Sequence, residues 1–300
     1  MVCQHLSMPT VNVNDIEICY ESFGPEDAPP LLLVMGLGAQ MTLWSPGFIS
    51  ELLERGFRVI RFDNRDVGLS TKTTGAPPDV MALYAKAMVG EPVDAPYSLS
   101  TMAADAVGLL DVLGVVAAHV VGASMGGMIA QMVAIEHPER VLSLTSIMST
   151  TGANDVGQPD AAAIGALLTP PPSDRAGAIA ATVETSRIIA GSLFDETDAR
   201  SRAAEAYDRC FHPAGPAFQI GAIAATGDRT ERLQAVQTPT LVIHGREDPL
   251  VTVSGGEATA AAIPGADLLV LGRMGHDTPQ AYWPQMADAI FGIALRGEGT

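Results

Sequence analysis

His119-Val120-Val121-Gly122-Ala123-Ser124-Met125-Gly126-Gly127-Met128 is the stretch that decides the fold. His119 to Val121 reads as a short strand and runs directly into Gly122-Ala123-Ser124-Met125-Gly126, which fits G-x-S-x-G. Met128 to Glu136 then reads as a helix, and Pro138 closes it. Strand, tight turn and helix together form the setting that presents a serine at the carboxyl edge of a parallel sheet. Gly122 and Gly126 are needed because the turn is tight: a side chain at either would meet a neighbouring strand or helix. Without that setting the pattern is weak. Glycine supplies 30 of the 300 residues, and a Gly-rich turn with a spare hydroxyl would match equally well.

Outward from this turn the chain alternates strand and helix. Upstream, Val11 to Phe23 alternates as a half-buried strand does, with Asn14-Asp15 as a turn. Pro25 to Pro30 is a loop, and Leu31 to Met35 is an apolar run suited to a strand covered on both faces. Ser50 to Arg55 reads as helix ended by Gly56, Phe57 to Phe62 as strand, and Ala103 to Leu113 as helix with Asp105 and Asp111 off its apolar stripe. Downstream, Val141 to Ile147 is the next strand. The pattern breaks near Thr150: residues 151–234 hold no convincing strand, only helical pieces at Arg175 to Ala190, Thr197 to Cys210 and Ala217 to Ala225. It resumes with strand Thr240 to His244, helix Gly256 to Ala262, strand Asp267 to Leu271 and helix Gln285 to Leu295. The expected architecture is α/β: a mostly parallel central sheet flanked by helices. Residues 1–150 and 235–300 form the core, and 151–234 form an inserted helical cap.

Hydrophobic residues make up 47% of the chain and charged residues 17%, which excludes a disordered polyelectrolyte. A net charge of −17 argues against nucleic acid and against an anionic membrane surface. No apolar run approaches the ~20 residues of a membrane span, and Met1 to Thr10 lacks the pattern of a signal peptide. Cys3, Cys19 and Cys210 are far apart and odd in number, so neither a disulfide framework nor a metal site is expected. These features point to a cytoplasmic protein. Chain length does not fix the oligomeric state and leaves a homodimer open.

A serine hydroxyl needs a base to act as a nucleophile at neutral pH. His276, in the loop Gly272-Arg273-Met274-Gly275-His276 after the last strand, lies at the same sheet edge as Ser124. The other histidines read otherwise. His5 is near a terminus, His119 starts a strand and His137 closes a helix. His212 lies in the insertion, and His244 is a packing or loop residue. An imidazole in this role needs a carboxylate to hold its tautomer. Asp248 lies just past strand Thr240 to His244, ahead of Pro249, whereas its neighbour Glu247 reads as solvent-facing. Asp63 reads as a structural residue bonding its loop to Arg65. The oxyanion of an acyl-transfer intermediate needs two donors. The Met125 N–H is one, and the Leu37 N–H in Gly36-Leu37-Gly38 is the other. Met41 and Trp44 either line a pocket or pin the next helix. Tyr282-Trp283 pack the last helix, and Phe194, Phe211 and Phe218 supply apolar bulk in the insertion.

Several segments resemble the α/β-hydrolase superfamily. They are Leu33-Val34-Met35-Gly36, Asp63-Asn64-Arg65-Asp66-Val67-Gly68-Leu69-Ser70, the turn at Ser124, His244-Gly245-Arg246-Glu247-Asp248-Pro249 and Gly275-His276. The likeness covers essentially the whole chain. Most members have His-Gly after the third strand where this chain has Met35-Gly36. That pair, with Asp63-x-Arg65-Asp66, is similar to the carboxylesterase branch that includes the aclacinomycin methylesterase, which hydrolyses a methyl ester on a polyketide. The resemblance implies a serine hydrolase acting on a small-molecule ester through Ser124, His276 and Asp248, without metal or organic cofactor. Members with dehalogenase or epoxide hydrolase activity carry Asp at the turn, so Ser124 argues against both. Carbon–carbon bond hydrolases and cofactor-free haloperoxidases or perhydrolases share the serine and stay open. So does a ligand-binding protein built on the same fold.

Overall fold

A computed structural model describes residues 2–3, 8–88 and 90–297 of the chain. His5 lies outside the described residues. The elements in chain order begin with strands β1 (Val2–Cys3), β2 (Thr10–Val13), β3 (Ile16–Phe23) and β4 (Pro30–Val34), then helix α1 (Pro46–Glu54) and strand β5 (Arg58–Phe62). Helices α2 (Val80–Met88) and α3 (Leu99–Val112), strand β6 (Ala118–Ala123), helix α4 (Met125–Glu136) and strand β7 (Val141–Ile147) follow. A helical stretch then holds α5 (Ala161–Leu168), α6 (Arg175–Ile189), α7 (Glu196–Arg209), the short strand β8 (Cys210–Phe211), α8 (Gly215–Thr226) and α9 (Thr230–Leu233). The chain ends with β9 (Thr240–Gly245), α10 (Val253–Ala262), β10 (Asp267–Leu271) and α11 (Trp283–Gly297).

Eight strands form one sheet in the order β10-β9-β7-β6-β4-β5-β3-β2. The six from β10 to β5 run parallel, and β3 and β2 close one edge antiparallel. This is an α/β-hydrolase sheet. The order reverses between β4 and β6, so the loops after these two strands diverge and leave a crevice at their carboxyl ends. The apolar runs of β4 are buried on both faces by simple alternation. Leu32 and Val34 join Ile60, Val120, Leu109 and Ile129 on the face covered by α3 and α4. Leu31 and Leu33 join Val59, Val121, Leu52 and Ile290 on the face covered by α1 and α11. No helix among the described residues is long and apolar enough to cross a membrane.

Helix starts are earlier than periodicity predicts, because caps rather than apolar spacing set them. α1 begins at Pro46, with Ser45 accepting from the Phe48 N–H. α3 begins at Leu99, where Ser98 and Thr101 form a capping box. α2 and α5 lie in segments with no strong sequence signal.

Several expectations are corrected. Asp105 is not off the buried face of α3: it is 2% exposed and takes a two-pronged ion pair from Arg65 at 2.6 and 2.7 Å. Asp63 pairs not with Arg65 but with Arg209, the last residue of α7, at 2.7 Å. Of the two roles open to Trp44 and Met41, the structure shows the packing one: both are fully buried, Trp44 is stacked on Phe48 at 5.6 Å, and neither lines the cavity between the sheet edge and α6–α8. The helical stretch contains one short strand, since the β1–β8 ladder sets Cys3 opposite Cys210. Cys210 is disulfide-bonded, although the number and spacing of the cysteines indicate no disulfide framework, while Cys19 is free and buried. Sequence distance hid the ladder, which joins segments some 200 residues apart.

Candidate active site

Ser124 sits between β6 and α4 with φ +57° and ψ −122°, a conformation costly for a residue with a Cβ. The surrounding packing enforces it. The Ser124 N–H donates to the Ile147 carbonyl at 2.8 Å, and α4 starts at the next residue. A Cβ on Gly122 would lie 2.0 Å from the Gly126 carbonyl oxygen, and one on Gly126 would lie 2.1 Å from the Val34 carbonyl oxygen. Strand, turn and helix are thus in backbone contact, which no other residue type permits.

The structure brings three of the named side chains into one line. His276 Nε2 lies 2.9 Å from Ser124 Oγ, and His276 Nδ1 lies 2.8 Å from Asp248 Oδ2. The other carboxylate oxygen of Asp248 accepts from the Leu250 and Val251 N–H groups, both at 2.9 Å, which fixes its plane. Asp248 is 4% exposed. His276 is held through its backbone as well: its N–H donates to the Ile189 carbonyl at 2.8 Å, and Gly275 lies against Gly191. Asp277 caps the same loop by accepting from the Gly275 N–H at 2.9 Å, and burial pushes its carboxyl above the usual aspartate range.

His244, four residues before Asp248, is fully buried. Its Nε2 lies 2.7 Å from the Val251 carbonyl and 3.6 Å from Asp248 Oδ2, and burial lowers its pKa. It therefore stiffens the loop that carries Asp248. Glu247 is exposed but not idle, since it accepts from the Ser192 N–H at 2.6 Å.

Gly36 brings the loop after β4 against Ser124: a Cβ there would lie 3.0 Å from Ser124 Cβ. Leu37 follows Gly36 in this loop, and Met125 is the first residue of α4, whose N–H has no acceptor within its own helix. The loop is also tied to the helical stretch by two glutamines that sequence reasoning missed. Gly38 N–H donates to Gln219 Oε1 at 2.8 Å, and Gln40 Nε2 donates to the Ala206 and Cys210 carbonyls at 2.7 and 2.9 Å. Arg209 donates to Gln40 Oε1 at 2.6 Å. Only the rarity of fully buried glutamine marks these positions, and burial is not visible in the sequence.

A cavity of about 600 Å³ opens at this point between the sheet edge and α6–α8. Met35, Leu37, Met148 and His276 line it from the sheet side, and Ile189, Leu193, Phe194 and Phe211 line it from the helical stretch. Phe218 does not reach it and packs in the core instead. Its charged lining is mostly acidic, with Asp195, Asp198, Glu205 and Asp277 against Arg202, which itself pairs with Asp198 at 2.8 Å.

Residues 29–279 match the family model for the alpha/beta hydrolase fold, and the chain belongs to that family. It is a hydrolase of this fold. It is 30% identical to rhodomycin D methylesterase DnrP of Streptomyces peucetius, over 94% of this chain and 97% of that protein. It is 28% identical to 2-hydroxymuconate semialdehyde hydrolase of a Pseudomonas species, over 90% and 86% of the two chains. Among solved structures, the enol-lactonase of Burkholderia xenovorans superposes with a TM-score of 0.71 at 23% identity, covering 97% of this chain and all of that one.

Proposed function

We propose that the protein hydrolyses a carboxylic ester of a small, neutral, apolar molecule through an acyl-enzyme on Ser124. The observation that carries this reading is the hydrogen-bonded line Ser124–His276–Asp248, whose His276 lines the cavity together with Ala123, the residue before the serine. His276 Nε2 takes the Ser124 proton as Oγ adds to the ester carbonyl. The Leu37 and Met125 N–H groups hold the resulting oxyanion. The intermediate collapses, the C–O bond breaks, and the alcohol leaves with the proton from His276. A water then gives its proton to His276 and adds to the acyl carbon, and Ser124 Oγ departs with that proton as the carboxylic acid is released. Asp248 holds Nδ1–H throughout and stabilises the imidazolium. Residues 151–234 act as the cap that closes the cavity. Its acidic lining disfavours an anionic substrate. The methylesterase relative supports ester chemistry.

The test is a panel of p-nitrophenyl esters of graded acyl length, run with wild type and Ser124→Ala. Turnover lost in the variant with the fold retained is the expected result. Undiminished turnover sinks the reading. The 2-hydroxymuconate semialdehyde hydrolase relative favours a second reading, carbon–carbon bond hydrolysis on the same residues. Preference for a vinylogous diketone over every ester of the panel would select it. Failure of a fluorophosphonate probe to label Ser124 would instead indicate a ligand-binding protein.

A further inference from the structure

The cap helix α8 does more than roof the cavity. Gln219, on its second turn, is fully buried, and both ends of its amide are used. Oε1 accepts from the Gly38 N–H at 2.8 Å, and Nε2 donates to the Arg65 carbonyl at 2.8 Å. A buried amide with both ends bonded has one orientation, because flipping it would face donor to donor and acceptor to acceptor. Arg65 is itself fixed by the paired bonds to Asp105 and by the Tyr97 ring, whose centroid is 4.8 Å from its guanidinium carbon.

At the other end of the amide lies a weak point of the backbone. Gly38 has φ +66°, and a glycine in that region turns its preceding peptide plane at little cost. That plane joins Leu37 to Gly38, next to the N–H assigned to the oxyanion. The α8 N-terminus closes on the same place. Pro216 lies 3.0 Å from where a Gly38 Cβ would be, and Gly215 leaves no room for a Cβ against the Asp66 carbonyl oxygen. We infer that Gln219 is a positioning residue: from the cap, it fixes the Leu37–Gly38 peptide and so aims the Leu37 N–H at the oxyanion. The oxyanion site is then complete only when α8 is docked, which couples cap closure to catalysis. This rests on the ester-hydrolase reading above.

Gln219→Met keeps the volume and removes both bonds. The expected result is a kcat on p-nitrophenyl acetate lower by between about 10-fold and the ~10³-fold of a whole lost donor, with KM within about threefold. Phenylboronic acid, whose tetrahedral adduct on the serine occupies the oxyanion site, should lose affinity by a similar factor. Gln219→Glu, protonated at this buried site so that its O–H donates to the Arg65 carbonyl, keeps the acceptor for Gly38 and should retain more kcat than Gln219→Met. Should Gln219→Met not fold, Gln219→Asn, whose amide stops one methylene short, carries the same expectations. A merely structural glutamine would lower Tm in these variants and leave kcat and the boronate constant at wild-type values, and that result overturns the proposal. Failure of the underlying reading looks different. Wild type would then not hydrolyse the ester, or Ser124→Ala would keep its rate, and the proposal would fall with the reading.

Discussion

The Arg209 guanidinium lies 2.7 Å from the Asp63 carboxylate, and both side chains are shut off from water, at 3% and 0% exposure. Asp63 follows β5 in the core, and Arg209 ends α7. Asp63 also accepts from the Met41 and Leu69 N–H groups, both at 2.8 Å, so one carboxylate ties together the loop after β4, the loop after β5 and the end of α7. Arg209→Met leaves that carboxylate buried without its counter-charge, which typically costs about 3–5 kcal/mol. Urea unfolding should show a loss of this size. Asp63→Asn with Arg209→Met should recover part of it, because the stranded charge is then gone. A single variant within ~0.5 kcal/mol of wild type would show that the pair does not lock the cap.

How much of this was legible in the sequence depends on the range of the interaction. The sheet was legible because β4, β6 and β9 carry apolar runs, Leu31 to Val34, Val120-Val121 and Leu241 to Ile243, bounded by turn residues and alternating with helices. The Ser124 turn was legible because backbone contact demands glycine at 122 and 126. The Asp63–Arg209 pair was not. Arg65 stands two residues from Asp63 and Arg209 stands 146 residues away, and local spacing favours the nearer cation. Asp105 was misplaced for a related reason. Periodicity assigns a carboxylate to the wet face of a helix, yet a partner from another loop made its burial tolerable. Gln40 and Gln219 carry no signature at all, since their hydrogen bonds join the loop after β4 to α7 and α8, far away in sequence.

His244 gives the fold a pH dependence whose sign follows from its burial. Burial lowers its pKa below the usual histidine value, so in the folded protein it resists protonation. Its Nε2 already bonds the Val251 carbonyl, and its Nδ1 is buried without an acceptor, facing Gly256. Below the unfolded histidine pKa of about 6.5 the unfolded chain binds a proton that the folded chain refuses, so stability falls as pH falls. The window opens near that value and extends down to the lower folded pKa. Denaturant unfolding at pH 7 and pH 5 should therefore show a loss that is smaller in His244→Gln, which does not titrate. Equal losses in the two proteins would remove His244 as the cause.

Size selection should reside in the cap wall rather than at the serine. Leu193, just after α6, lines the cavity beside Phe194 and is itself only half-buried, so its side chain has room to grow inward. An acetyl ester fills a small part of about 600 Å³, whereas a bulky aryl ester must share the space with any added ring. Leu193→Trp should raise KM for p-nitrophenyl benzoate by about tenfold, equivalent to ~1.4 kcal/mol of binding. The kcat and KM for p-nitrophenyl acetate should stay within about twofold, because the Ser124–His276–Asp248 line is untouched. If both esters weaken together, Leu193 acts through the His276 loop that packs on Gly191 rather than through cavity volume, and the cap wall does not set substrate size.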